Sequence, residues 1–222
     1  MRLSPEDHER VTAAVTAAEL HTDGEIVTVV ARSSDSYHDV ALHWAVLAML
    51  LVLALLAWQP VPAEWLHARL VDGWSETPPG WYLAFALLLM VVTFLVVRFA
   101  FAWDALRMAA TPAATKTRRV GRRALGLFRA AAEKRTKAST GVLLYLSLAE
   151  HRAEIIADES IHSRVAPEVW GDAMAALIAA VKDGRPGDGM ADAVARIGAV
   201  LAEHFPRSEG DTNELPDRLI VL

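Results

Sequence analysis

Cysteine is absent from all 222 residues, which excludes disulfides and thiol chemistry and agrees with a reducing compartment. Three catalytic signatures are missing as well: a G-x-x-x-x-G-K phosphate loop, an H-E-x-x-H pair and a G-x-S-x-G elbow. The opening stretch MRLSPEDHERVTAAVTAAELHTDGEIV lacks the basic start, apolar core and cleavage site of a secretory signal peptide, so the soluble part is expected to stay where it is made. Charge is missing in two places, from Trp44 to Trp58 and from Trp81 to Val97.

Those uncharged stretches are the most informative feature of the chain. Segments of about 40–58 and 81–103 are each long and apolar enough for a membrane helix, which needs about 20 such residues. Trp44, Trp58, Trp81 and Trp103 mark their ends, where indole rings favour the headgroup level. So small a chain could hardly cover both helices all round as a soluble core. Inside the spans only His43, Thr93 and Arg98 are polar, and Arg98 is close enough to a helix end to snorkel, so no transport path is expected.

Between Asp104 and Lys137 ten Lys or Arg face two acids, whereas the loop between the spans holds Arg69 with Glu64, Asp72 and Glu76. The positive-inside rule then places both termini and the soluble part in the cytoplasm, at the inner membrane, with the short loop outside. A juxtamembrane flank touching anionic lipid explains the basic run with fewer assumptions than a nucleic-acid patch, so no nucleic-acid partner is expected.

The soluble parts read as α/β. Ser4 before Pro5, with Glu6, Asp7 and Glu9, is a helix start, and Val11, Ala14, Val15 and Ala18 give it one apolar stripe as far as about His21. EIVTVVA, Glu25 to Ala31, is a buried strand. After a loop around Pro112, a basic helix of about 116–135 is expected, then strands TGVLLYLSL (140–148) and AEIIA (153–157), joined so tightly that they must be antiparallel. Pro167 opens a further helix, DGRPGDG forms a turn, and a last helix runs over about 190–205. The tail reads as mobile, with RLIVL able to dock or add an edge strand.

The N-terminal piece offers one helix and one strand, too little to bury both apolar faces. Two spans return the chain to the side it left, so the pieces can complete one small sheet of at least three mixed strands with helices on both faces. The expected organisation is residues 1–39 as the first part of one domain and 40–103 as a transmembrane hairpin. A linker of 104–115 then leads to the second part, 116–206, and a tail, 207–222.

In this order, TDGEIVTVVARSSDSY, STGVLLYLSLAEHRAEIIADESI, a helix containing Trp170 and GDGMADAVARIGAVL, the sequence resembles the TPM domain family. That family includes a thylakoid lumen acid phosphatase, photosystem II repair proteins and many bacterial membrane proteins. The resemblance implies the fold and, as one activity, phosphatase chemistry. Where the family commonly reads Asp-Asn-Gly-Val-Leu, this chain has Ser139, Thr140, Gly141, Val142 and Leu143. In place of Gly-x-Gly-Leu-Glu it has Asp158, Glu159, Ser160, Ile161 and His162.

A crossover makes the first two strands parallel and brings Asp23, Ser139, Thr140, Asp158 and Glu159 to one end of the sheet. Oxygen ligands so placed suit Ca2+ or Mg2+, with Asp23, Asp158 and Glu159 as ligands and Ser139 and Thr140 in support. Solvated turn residues are the alternative. Asp39 and His43, four apart, read as an interfacial helix start, and His151 and His162 as turn residues. The expected function is an interaction or assembly module for other membrane proteins, anchored in the bilayer. The rival is a membrane-bound phosphatase or other divalent-cation-dependent hydrolase.

Overall fold

Ser4 initiates the first helix as read: its hydroxyl accepts from the Asp7 N–H while the Asp7 carboxylate accepts from the Ser4 N–H, a reciprocal capping box ahead of Pro5. The structure, a computed structural model, describes residues 3–71, 73–131, 140–209 and 215–222. Its elements in chain order are α1 (Pro5–Glu19), β1 (Glu25–Ala31), α2 (His38–Trp58), α3 (Val61–Leu70), α4 (Pro79–Ala100), α5 (Asp104–Ala110), α6 (Ala113–Ala131), β2 (Gly141–Ser147), β3 (Arg152–Ala157), α7 (Glu159–His162), a 3-10 turn (Pro167–Trp170), α8 (Gly171–Lys182), α9 (Pro186–His204) and β4 (Ile220–Val221). They cluster into two compact units, Met1–Asp35 with Ala113–Leu222, and Ser36–Pro112.

The first unit holds a mixed sheet in the order β3-β2-β1-β4. β1 runs parallel to β2, from Glu25 opposite Gly141 to Ala31 opposite Ser147, and β2 runs antiparallel to β3. β1 also pairs in parallel with β4, so RLIVL does add an edge strand. Alternation along the strands sorts two cores. Ile26, Val30, Val142, Leu144 and Leu146 pack with Val11 and Val15 of α1 and with α8 and α9. Val27, Val29, Leu143 and Tyr145 point the other way, onto Val120, Ala124 and Phe128 of α6. Helices on both faces leave β1 and β2 wholly buried, which is why each reads as a near-continuous apolar run.

The second unit contains two helices long and apolar enough to cross a membrane, α2 and α4, each with mean hydropathy 2.6. They pack on each other, and their other leucines, valines and aromatics, among them Leu50, Leu51, Leu88 and Phe99, are exposed. Between them α3 leans on the start of α4: the Trp81 indole donates to the Ala63 carbonyl at 2.9 Å, and the His67 ring meets Trp81 edge to face at 5.1 Å.

Several boundaries differ from the sequence reading. The second span ends at Ala100, because the chain turns at Phe101–Trp103 before α5, a short helix the hydropathy pattern hid. The loop between the spans contains α3, where the sequence reading has only loop; proline at its start suits a first helical turn. α9 starts at Pro186 instead of about Met190, so half of DGRPGDG, read as a turn, is helical. Pro167 opens a 3-10 turn, with the α-helix beginning at Gly171. α6 starts at Ala113, and the part of its expected span beyond residue 131 lies outside the described residues.

Candidate functional site

The amino end of β1 and β2 carries the residues read as a cation site. Parallel pairing brings Asp23 and Thr140 together: the Thr140 hydroxyl donates to the Asp23 carbonyl at 2.9 Å. Asp158 joins them across the β2–β3 hairpin, where its buried carboxylate accepts from the Gly141 N–H at 3.0 Å and its own N–H donates to the Gly141 carbonyl. The Asp23 carboxylate turns elsewhere and accepts from the Ser208 N–H at 2.7 Å. Glu159 opens α7 and is exposed, while Ser139 lies outside the described residues.

Topology thus brings Asp23, Thr140 and Asp158 to one end, and each is engaged by backbone. Among the described residues no three His, Asp or Glu side chains gather in a metal-holding group. Asp39 and His43 likewise do not form a ligand pair, since the His43 Nδ1 bonds the Asp39 carbonyl at 2.6 Å. His151 occupies the β2–β3 turn in a left-handed conformation, and His162 closes α7.

If the Asp158 carboxylate serves the Gly141 N–H, its removal leaves a buried donor unmatched. Asp158→Ala is therefore expected to cost about 1–3 kcal/mol, and Asp158→Asn, which keeps an acceptor, markedly less. Thermal melts of the full chain in EDTA and in Mg2+ would check this. The cost should be equal in both, whereas a cost confined to Mg2+ would make Asp158 a ligand instead.

The opposite end of the sheet holds groups that sequence reasoning passed over. Glu150, buried in the β2–β3 turn, accepts from the Ser34 N–H at 2.9 Å and from the Ser33 and Ser147 hydroxyls. The Ser34 hydroxyl meets the Tyr145 phenol at 2.9 Å. Burial raises the Tyr145 pKa, against lowering contributions from Ser34, Ser147 and Arg123. Asp35 pairs with Arg119 of α6 at 2.9 Å. This network fixes the segment where the chain leaves β1 for the hairpin. Its only sequence signal was a cluster of small polar residues after a strand, which reads equally well as a plain loop.

A third cluster lies beside α1. Glu19 accepts from the Ile26 N–H at 2.8 Å, Glu25 from the Leu215 N–H at 3.2 Å, and Asp217 from the Thr16 hydroxyl at 2.6 Å. Burial pushes the Glu19 pKa up to about 8; the Ile26 N–H opposes the shift, and the neighbouring Glu25 and Asp217 carboxylates add to it. These residues dock the segment that carries β4.

Comparison with known proteins bears out the resemblance read from the sequence. Residues 106–200 match the family described as TPM domain. The fold is similar to that in the NMR structure of BA42 protein from the psychrophilic bacteria Bizionia argentinensis sp. nov. The two are 18% identical, with a TM-score of 0.57, over 100% of this chain and 97% of that one. No curated protein matches the sequence.

Proposed function

We propose that this chain is a TPM-like domain held at the cytoplasmic face of the inner membrane by its α2–α4 hairpin, where it serves as an interaction or assembly module for other membrane proteins. One observation carries the reading. Two of the three acidic residues expected to do chemistry accept from backbone, Asp158 from Gly141 and Asp23 from Ser208. A carboxylate that closes a hairpin end is a fold element, and a module of this kind needs only its fold and its anchor. The ten Lys or Arg between residues 104 and 137 support the cytoplasmic orientation. The rival reading, a hydrolase using Ca2+ or Mg2+ at Asp23, Asp158 and Glu159, rests on the family resemblance and on these carboxylates sharing one end of the sheet.

The test uses the full chain in its membrane. A photo-crosslinking residue at exposed Val169 or Leu125 should capture a discrete membrane protein, and purified protein should hydrolyse no phosphate ester above background with either cation. Cation-dependent hydrolysis that is lost in Asp158→Asn and in Asp23→Asn, both of which keep hydrogen-bond acceptors, would replace the module reading with the hydrolase.

A further inference from the structure

α6 carries Lys116, Arg118, Arg119, Arg122, Arg123 and Arg129 without a single acid. Arginines at 118 and 122, and at 119 and 123, are like charges four residues apart, an arrangement that destabilises an isolated helix. Arg119 pairs with Asp35, and its side chain is 14% exposed, so it is held in place. Arg122 and Arg123 are exposed and make no ion pair among the described residues.

These side chains line a half-open cavity of about 490 Å³, shared with Ser34, Asp35 and Gly126. Every lining residue belongs to the first compact unit. Asp35 is offset by Arg119, so Arg122 and Arg123 leave the cavity with a net positive charge. Gly126 adds a second kind of evidence. Glycine weakens a helix interior relative to alanine, and the usual packing reason is missing, since nothing lies within 4 Å of the position a Cβ would take. A bare helix backbone beside convergent guanidinium groups is suited to close approach by a ligand. Guanidinium forks match the paired oxygens of phosphate, and a monoester presents three of them.

We infer that the Arg119–Arg122–Arg123 cavity is a binding site for a phosphate monoester group. Arg122 and Arg123 are its charge-bearing contacts, the Ser34 hydroxyl is a further donor, and Arg119, fixed by Asp35, shapes the wall. Such a group comes either from a phosphorylated solute or from a lipid such as phosphatidic acid, and α6 follows directly on the hairpin segment in sequence.

Two arms on the full-length protein separate the sources. In nonionic detergent, inorganic phosphate and pyrophosphate are titrated while the melting midpoint is followed. In nanodiscs of phosphatidylcholine, retention of phosphatidic acid is compared with retention of phosphatidylserine. A midpoint rise with the soluble probes identifies a solute site; selective retention of phosphatidic acid without that rise identifies a headgroup site. In either arm Arg122→Gln and Arg123→Gln should each weaken binding about tenfold, the size expected for one charge-assisted contact. Arg118→Gln, which removes the same charge from the same helix outside the cavity, should leave it unchanged. Equal losses in all three variants would reduce the site to diffuse helix charge, and no binding of any probe would overturn it outright.

Discussion

Replacing Gly198 by valine is expected to destabilise the sheet-bearing unit by about 3 kcal/mol or more, at the upper end of the cost of forcing extra methyl groups into a packed contact. The cause is local. α9 crosses α1 so closely at Gly198 that a Cβ there would stand 2.5 Å from the Ala18 Cβ and 3.2 Å from the Ala18 Cα. The second of these is backbone, so no rotamer change relieves it. Gly198→Ala should cost less, about 1–2 kcal/mol, because alanine recovers part of the loss through helix propensity. Combining it with Ala18→Gly reopens the space and should restore part of the stability. Gly126→Ala is the control for propensity alone: its site is open, and it should stabilise α6 by up to about 1 kcal/mol. The same substitution in two helices of one protein should thus change sign with the neighbour. A Gly198→Ala variant as stable as the parent in thermal melts would show that the α1–α9 contact is looser than described. The contact also joins the segment before the hairpin to the segment after it, so losing it should loosen the split domain as a whole.

Much of this was legible in the sequence, for identifiable reasons. Glu25–Ala31 is a strand from end to end as read, because a β-branched run between turn residues leaves the backbone little choice and both of its faces are buried. The parallel β1–β2 pair followed from connectivity alone, since the apolar segment between them demanded a crossover. GDGMADAVARIGAVL was one of the segments behind the family resemblance, and each of its glycines lies at a close contact: Gly187 at Asp7, Gly189 at Leu177 and Ala180, and Gly198 at Ala18. Two helical stretches read as connections in the sequence: Val61–Leu70 as part of the loop between the spans, and the start of α9 at Pro186 as part of a turn. The candidate site was half legible. Topology did bring Asp23, Thr140 and Asp158 to one end, but which oxygen would be taken by Gly141 or Ser208 depends on backbone direction, and no spacing encodes that. The arginines of α6 were visible only as a charge run. That three of them share a cavity with Ser34 depends on the long-range pairing of β1 with β2 and on α6 packing against β2 and β3.

The second large effect is a pH dependence set by Glu19. Its carboxyl titrates near pH 8 in the folded protein against an ordinary value of 4.5, chiefly because burial disfavours the charge. Between those values the folded state holds a proton that the unfolded chain has released, so stability falls as pH rises. The contribution is fully present below about pH 4.5 and is lost as pH passes through 8. Glu19 keeps a partly exposed side, so the full shift overstates the energy; after allowance for solvent, a loss on the order of 2 kcal/mol is expected. The proton has a structural use. Glu19 Oε2 is buried with no donor among the described residues, and the carboxylates of Glu25 and Asp217 stand nearby. Protonated, Glu19 can donate toward Asp217; ionised, it repels it. Asp217 lies just before β4 and is anchored to α1 through Thr16, while the Leu219 N–H donates to Thr12. Alkaline pH should therefore loosen the β4 segment first and expose the β1 edge at Val29 and Val30. Glu19→Gln keeps an acceptor for the Ile26 N–H and removes the charge. Its melting midpoint should match the parent near pH 5 and exceed it at pH 8 by several degrees, and hydrogen exchange at the Leu222 N–H, which bonds the Val30 carbonyl, should slow relative to the parent at pH 8. Parallel pH profiles for the two proteins would remove Glu19 as the titrating group and leave the docking of β4 to its strand pairing and apolar contacts alone.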